Sequence, residues 1–240
     1  AIQHGGQQTI VRRNLFYNNL GGGVHYQYYS DEMLYSYGNR LYHNTFYNNE
    51  CFALRSRNYV SGRYYNHEAV NNVFYGNTGC EGSGEQNEIL DTNAMELRAN
   101  AATGQDPLFE DAASGDFDLN EDSPLIDAGD YLTKVTSTGS GVQIPLADAS
   151  YFYDGMGIEG EAGDIIQLMT SGSVARIIHV DLVNNLIQLD RSVSWSDGEG
   201  VALQYLGNGP DVGAVERGQN LVGSPPNTPS NFEIRVQTQY

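Results

Sequence analysis

The sequence predicts an all-β protein in which coils of parallel strands stack into a parallel β-helix, with a small antiparallel β-barrel inserted near its end. Three observations predict this fold: a motif that recurs in the N-terminal third, a composition rich in turn residues, and a downstream segment of alternating apolar and polar residues. The chain contains 28 Gly and 17 Tyr but a single lysine, Lys134. This composition suits turn-rich β structure better than helices.

The recurring motif is Asn-x-Phe-Tyr-x-Asn or, in its last copy, Asn-x-Phe-Tyr-Gly-Asn. The copies are 30 and 28 residues apart, at residues 14–19, 44–49 and 72–77. A repeat of this length cannot bury its apolar face alone, so the copies must stack. We therefore expect Phe16, Phe46 and Phe74 to form an internal ladder. The Asn residues should lie at corners, where they tolerate left-handed backbone and bond to the next coil. A meander of hairpins is the alternative.

The two cysteines follow the same spacing. Cys51 lies seven residues after Asn44, and Cys80 lies eight residues after Asn72. They should therefore occupy adjacent coils at nearly the same position around the stack. A disulfide between coils and a pair of reduced core or turn residues are both compatible with this placement.

The downstream segment reads as short strands separated by Ser-Gly, Asn-Asn and Asp-Gly turns. The predicted strands are residues 163–168, 174–180, 186–190 and 201–205. Four or five such strands can close a small barrel, which removes the exposed edges of a flat sheet. We expect this barrel to span residues 131–209 and to join the coils at Gly129 and Pro210. Its removal should leave the coils folded.

Four motifs in order identify a resemblance to a known family. They are Asp-Pro-Leu-Phe-Glu-Asp, Gly-Asp-Phe-Asp-Leu, Ser-Pro-Leu-Ile-Asp-Ala-Gly and Pro-Asp-Val-Gly-Ala-Val-Glu, at residues 106–111, 115–119, 123–129 and 210–216. Together with the repeats, they resemble the C-terminal part of bacterial exported right-handed parallel β-helix proteins of the pectate-lyase-like superfamily. The resemblance covers about residues 1–130 and 208–218.

The resemblance implies a right-handed parallel β-helix with an inserted small antiparallel β-barrel. Its coils would occupy residues 1–130, its inserted barrel residues 131–209, and the return to the last coil and its cap residues 210–218. Residues 219–240 read as a Pro-rich linker followed by what resembles the start of a fibronectin type III module. The chain would then be part of a longer modular protein.

The resemblance also implies an extracellular or cell-surface location and a polysaccharide or glycan partner. Two functions follow from it: the C-terminal part of a polysaccharide lyase or glycoside hydrolase, and a non-catalytic surface or adhesion spacer that binds glycan. Neither a cofactor nor a metal is expected, and the sequence does not indicate catalytic residues. No spacing of carboxylates identifies a hydrolase pair.

The formal charge of −18 is concentrated downstream. Residues 1–98 carry nine acidic and seven basic side chains, whereas residues 99–240 carry twenty-one and five. Such a surface repels phosphate, so nucleic acids and anionic membranes are poor partners. No apolar run approaches the roughly 18 residues that a membrane span requires.

In β-helix polysaccharide lyases and hydrolases the sugar chain lies in a groove along one sheet. In the corresponding stretches here, alternation directs Val24, Tyr26, Phe52 and Leu54 inward. The substrate-binding candidates are the outward residues and those of the following loops: His25, Gln27, Tyr28, Arg55, Arg57, Tyr59 and His67.

A lyase needs a cation that neutralises the uronate carboxylate and a base that removes the neighbouring proton. Arg55 or Arg57 fits the first role, and His25, His67 or a tyrosine fits the second. Solvated ladders on the flank of the coils are the alternative for the same residues. The Lys and Arg pairing of several β-helix lyase families has no match, because the coils contain no lysine. Twelve of the 17 Tyr lie in residues 1–75, which suits either stacking on sugars or packing between coils.

Overall fold

The computed structural model describes residues 2–27, 35–57, 62–78, 89–90 and 95–218. Within these ranges the protein is all-β and contains no helix. Its upstream part is built from parallel sheets, and its downstream part is one curled antiparallel sheet. A two-stranded antiparallel hairpin lies between them in sequence.

Thirteen short strands form the parallel part. They are β1 (Ile2–His4), β2 (Ile10–Arg12), β3 (Leu15–Tyr17), β4 (Val24–Gln27), β5 (Ser36–Tyr37), β6 (Arg40–Tyr42), β7 (Thr45–Tyr47), β8 (Leu54–Arg57), β9 (Tyr64–Tyr65), β10 (His67–Val70), β11 (Val73–Tyr75), β12 (Ile89–Leu90) and β13 (Met95–Arg98). Sheet A has the order β1-β4-β8-β12, sheet B the order β2-β6-β10-β13, sheet C the order β3-β7-β11, and sheet D pairs β5 with β9. Every pairing within these sheets is parallel.

The predicted phenylalanine ladder is confirmed. Phe46 pairs in register with Phe16 on one side and with Phe74 on the other. The centroids of neighbouring rings are 4.7 and 5.2 Å apart, and the ring planes are nearly parallel, with interplanar angles of 8° and 22°. All three side chains are buried. The constant period therefore places one phenylalanine of each repeat above the next, because a shift of one residue would turn every ring outward.

Two ladders of asparagines hold the corners of the stack, as predicted. In the first, Asn44 donates from its side chain to Asn72 Oδ1 at 2.9 Å and to the Val11 carbonyl at 2.9 Å. The Asn44 carboxamide oxygen accepts from the Asn14 backbone at 3.0 Å. The second ladder has the same geometry and consists of Asn19, Asn49 and Asn77. These amides satisfy backbone groups that the turns would otherwise leave buried without a partner.

A hairpin of β14 (Phe109–Asp111) and β15 (Asp116–Leu119) covers the outer side of sheet C. Phe117 and Leu119 are buried, as the alternation predicts. The Phe117 ring lies 5.0 Å from Tyr17 and 5.5 Å from Tyr47, measured between centroids. The tyrosines of the repeated motif therefore contact the hairpin, and packing accounts for part of the upstream tyrosine cluster.

The antiparallel sheet contains six strands. They are β16 (Thr133–Lys134), β17 (Gly139–Pro145), β18 (Ile165–Leu168), β19 (Val174–Asp181), β20 (Leu186–Trp195) and β21 (Gly200–Leu203), in the order β16-β21-β18-β19-β20-β17. A single bridge between Val135 and Leu146 links the two ends of this order. The sheet is therefore strongly curled, and we refer to residues 133–203 as the half-barrel.

The sequence prediction missed β17, although it found four of the six strands of the half-barrel. The strand reads Gly-Ser-Gly-Val-Gln-Ile-Pro, and its glycines and proline resemble a turn. Gly141 has a φ of 142° at an irregularity in the pairing with β20. Gly139 lies against Trp195, where a Cβ atom would approach the indole ring to 2.9 Å. Here glycine permits a bulge and a close contact within a strand.

The half-barrel and the outer side of sheet B share one hydrophobic core. Tyr42 and Val70 from sheet B are buried in the same cluster as Leu132, Ile144 and Ile177. The opposite side of sheet B contributes Leu41 and Ala69 to the interior of the stack. Sheet B is thus buried on both faces. The expectation that the insertion can be removed without effect on the coils is revised, because removal would expose this core.

Carboxylates in residues 123–129 and 210–216 accept hydrogen bonds from backbone amides of the same region. Asp211 accepts from the Asp127 backbone at 2.8 Å, and Glu216 accepts from the Leu206 and Asp211 backbones at 3.0 Å each. The Gly129 amide donates to the Pro210 carbonyl at 2.7 Å. The two ends of the intervening segment, residues 130–209, therefore lie next to each other. We refer to residues 125–129 and 206–217 as the end cap.

Candidate functional site

The outer face of sheet A brings together the predicted cationic residues. His25 on β4 lies directly opposite Arg55 on β8, and Gln27 lies directly opposite Arg57. Gln3 on β1 is the neighbour of His25 on its other side. The alternate residues of these strands point inward, and Val24, Tyr26, Leu54 and Ser56 are buried as a result. We call the part of sheet A that contains positions 25, 27, 55 and 57 the cationic face.

Phe52 differs from its prediction. It was expected to point into the stack, but its ring packs against the cationic face while remaining buried. The ring meets the His25 imidazole edge-on at 5.5 Å, and the Arg55 guanidinium lies 5.7 Å from its centroid. The strand begins only at Leu54, so the alternation does not extend back to Phe52. The consequence is an aromatic ring that contacts both described side chains of the face.

The prediction for His67 is wrong. His67 was expected on a loop beside the groove, but it lies in β10 and is 2% exposed. Its ring stacks on Tyr64 at 3.8 Å, and its Nδ1 accepts from the Asn39 backbone at 3.3 Å. Asn66, with a φ of 56°, turns the corner and directs the His67 side chain inward. A glycan on the outside cannot reach it.

Several other candidates are only partly described. Tyr28 and Tyr59 lie outside the described residues, and of Gln27 and Arg57 the strand positions alone are described. Their roles stay predictions. Cys51 is a disulfide cysteine, whereas Cys80 lies outside the described residues, so their pairing also stays a prediction.

Three arginines of sheet B form ion pairs with carboxylates. Arg12 binds Asp164 through two hydrogen bonds of 2.6 Å, and Arg40 binds Asp148 at 2.5 Å. Arg98 binds Asp130 and, on its own sheet, Glu68, at 3.0 Å each. These side chains hold the coils to the downstream chain, and we call this contact the seam. The local sequence does not reveal these ion pairs, since Arg12 and Asp164 are 152 residues apart.

The end cap contains a second cluster of titratable groups around a small cavity lined by Arg13, His43 and Glu216. Burial lowers the pKa of His43 to about 3. Burial also raises the pKa of Glu216 to about 7, even though two backbone amides donate to its carboxylate. The imidazole is therefore neutral at physiological pH. His43 and Glu216 are buried, and their hydrogen bonds indicate a structural role.

Within the part of the chain that the structure describes, no group of three or more His, Cys, Asp and Glu could hold a metal ion. The same part contains no helix that is long and apolar enough to span a membrane. Compared with protein-family models, with curated proteins and with solved structures, the chain has no match.

Proposed function

We propose that the chain is a glycan-binding module of the parallel β-helix type, similar to pectate-lyase-like proteins, and that its cationic face binds an acidic polysaccharide. An extracellular or cell-surface location and attachment to further modules belong to the same proposal. The observation that carries it is the register of sheet A, which sets His25 beside Arg55 and Gln27 beside Arg57. Residues that are 30 apart in sequence thereby lie side by side on neighbouring strands.

The spacing of such a surface suits a polymer that carries repeated carboxylates. Neighbouring parallel strands lie about 4.8 Å apart, and alternate residues of one strand point to the same side. Arg55 and Arg57 are alternate residues of β8. A guanidinium offers paired N–H donors that match both oxygens of a carboxylate. Because the side chains stand on strands of a stacked scaffold, little ordering is needed on binding.

The charge distribution supports the same ligand. The first 98 residues are nearly neutral, while the remainder carries a large negative excess. An anionic glycan is therefore repelled by the downstream part and directed toward the coils. The position of Phe52 adds an aromatic surface against which His25 and Arg55 are held.

Calorimetric titration with hexagalacturonate tests this proposal. We expect Arg55→Ala to weaken binding about tenfold, because it removes a cation that pairs with the ligand. We also expect affinity to fall from low salt to physiological ionic strength. Arg191→Ala is the matched control, since Arg191 is an exposed arginine that lies on the half-barrel and not on sheet A. It should leave the affinity unchanged.

Two outcomes would contradict the proposal. The first is an absence of binding to hexagalacturonate and to other uronate oligomers, which would favour the alternative function of a rigid spacer. The second is an affinity that Arg55→Ala and Arg57→Ala both leave unchanged. Ultraviolet absorbance of unsaturated products, followed in the same samples, separates binding from lyase activity.

A further inference from the structure

We infer that a second binding site lies between the coils and the half-barrel, and that it takes a neutral saccharide. We call it the junction groove. Its coil side is formed by Gln8, Tyr37 and Asn66, and its half-barrel side by Asp148, Leu182 and Asn185. It is separate from the cationic face, because its residues belong to the sheet D corner and the seam rather than to sheet A.

The floor of the groove contains an arginine with unused hydrogen-bonding capacity. Arg40 is 2% exposed and donates to the Asn66 carbonyl at 2.6 Å and to Asp148 at 2.5 Å. Its Nε atom is buried and has no acceptor among the residues that the structure describes. Buried donors without an acceptor are rare in native proteins. A ligand hydroxyl in the groove would give this part of the guanidinium an acceptor.

The charges of the floor cancel, which favours a neutral ligand. The one cation, Arg40, is paired with the one carboxylate, Asp148. Burial alone would raise the pKa of Asp148, but hydrogen bonds from Ser150 and the charge of Arg40 lower it instead. Asp148 therefore stays ionised and keeps the pair intact near neutral pH. A ligand carboxylate would face Asp148 without a free cation to compensate it.

Tyr37 lines the groove, and its aromatic ring is suited to a sugar ring. The rings of Tyr37 and Tyr65 stack between adjacent coils with centroids 5.4 Å apart and an interplanar angle of 10°. Tyr65 is 46% exposed, so the stack reaches the protein surface. A tyrosine ring has an apolar face for the C–H groups of a sugar and a polar tip for its hydroxyls. The amides of Gln8 and Asn66 offer both donors and acceptors nearby.

The size of the groove limits the ligand. Its volume is about 270 Å³. This lies just below the usual range for small-molecule sites, roughly 300–1,000 Å³. The groove therefore suits one or two sugar rings, such as the end or a side branch of a chain, rather than a long polymer. Because it is open on one side, the rest of a glycan can continue into solvent.

Pairs of sugars that differ only in a carboxylate test the inference: glucose with glucuronate, galactose with galacturonate, and mannose with mannuronate. Saturation-transfer NMR on the intact protein should show at least one neutral sugar bound, with its acidic counterpart about tenfold weaker. Tyr37→Ala should weaken the neutral sugar about tenfold, while Tyr37→Phe keeps the stacking and most of the affinity. Tyr17→Ala, an exposed tyrosine on sheet C, is the control and should have no effect.

Leu182→Trp provides a variant that does not depend on the tyrosine stack. Leu182 is 47% exposed, so a larger side chain there should fold normally and fill the groove. It should abolish binding of the neutral sugar and leave hexagalacturonate binding unchanged. The inference is overturned if no neutral sugar of the panel binds, if each uronate binds as well as its neutral partner, or if Tyr37→Ala and Leu182→Trp both keep the affinity. Arg55→Ala affects only the acidic ligand, so the two proposals can fail separately.

Discussion

The coils and the half-barrel differ in the side chains that they bury. The coils bury polar residues at corners that the structure describes: Asn39, Asn44, Asn49, Asn71, Asn72 and Asn77 are all buried. Among the described residues of the half-barrel, 133–203, only Thr133 and Glu199 are buried polar side chains. A chain that turns inside a parallel stack needs side chains to satisfy its backbone, whereas antiparallel strands pair with one another and turn in solvent.

The difference explains why the two regions meet as they do. Sheet B has apolar residues on its inner side and arginines, Tyr42 and Val70 on its outer side. Such a face is too apolar to be left in water, and its cations pair with carboxylates across the seam, while Arg98 also pairs with Glu68 on sheet B itself. The half-barrel covers it with a purely apolar core. The coils therefore depend on the half-barrel more than an insertion between Gly129 and Pro210 would suggest.

The largest expected effect comes from removing the half-barrel. A protein that lacks residues 131–209, with Asp130 joined to Pro210, should lose at least about 5 kcal/mol of stability. The reason is that Tyr42 and Val70 become exposed and Arg40 loses Asp148. Urea denaturation followed by circular dichroism measures the loss.

A second deletion variant controls for the new junction in the chain. Adding Tyr42→Thr, Val70→Thr and Arg40→Gln to the deletion should recover part of the stability, because these changes make the uncovered face polar. An unchanged urea midpoint in the simple deletion would show that the coils are independent of the half-barrel.

Asn44→Ala tests the polar ladders of the coils. The substitution removes the side-chain partner of three backbone groups, the Asn14 amide and the Val11 and Tyr42 carbonyls, and we expect a loss of roughly 3 kcal/mol in the free energy of unfolding. Asn184→Ala, in an exposed turn of the half-barrel, should cost less than about 1 kcal/mol. Equal losses in the two variants, measured by urea denaturation, would contradict the contrast between the regions.

Asp164→Asn tests the seam. It removes a carboxylate that binds two nitrogens of Arg12 and accepts from the Tyr153 backbone. A buried pair broken on one side costs 3–5 kcal/mol, and since Arg12 is partly exposed we expect about 2 kcal/mol. Asp190→Asn breaks the exposed pair with Arg191 and should leave the thermal unfolding curve nearly unchanged. If the thermal unfolding curves of Asp164→Asn and Asp190→Asn coincide, the ion pairs of the seam do not stabilise the protein.

The smallest effect concerns pH at the end cap. The raised pKa of Glu216 means that the folded protein holds this proton more tightly than the unfolded chain, so its contribution to stability falls as pH rises from about 4.5 to about 7. The lowered pKa of His43 has the opposite sign, and its contribution rises with pH between about 3 and 6.5. The two slopes oppose each other in mildly acidic solution.

Glu216→Gln separates the two contributions. In this variant the contribution of His43 to the pH dependence of stability is no longer opposed by Glu216. Stability should therefore rise more steeply between about pH 4.5 and 6.5 than in the parent protein. Burial also raises the pKa of Asp211, which acts in the same direction as Glu216 and therefore reduces the rise of stability with pH in both proteins. Urea midpoints at a series of pH values measure the slopes. If the urea midpoints of parent and variant change with pH in parallel, the buried carboxylate of Glu216 does not contribute to the pH dependence of stability.

The candidate site was predicted in part. Alternation within a strand predicted that His25 and Arg55 face outward, and the register of sheet A then places them side by side. His67 and Phe52 were misplaced, since a corner at Asn66 and a strand start at Leu54 interrupt the alternation that the prediction extended. The junction groove was not predicted, because its two sides come from segments that no shared pattern connects.

The sequence by itself determined the stacking of the coils. Phenylalanine and asparagine recur at a nearly constant period, and identical side chains at that period satisfy one another only when the copies lie in register. The tertiary structure alone decided what covers sheet B, where Arg12 meets Asp164 and Arg40 meets Asp148. Such contacts join residues more than 100 positions apart, and they depend on how two differently built sheets pack rather than on any local pattern.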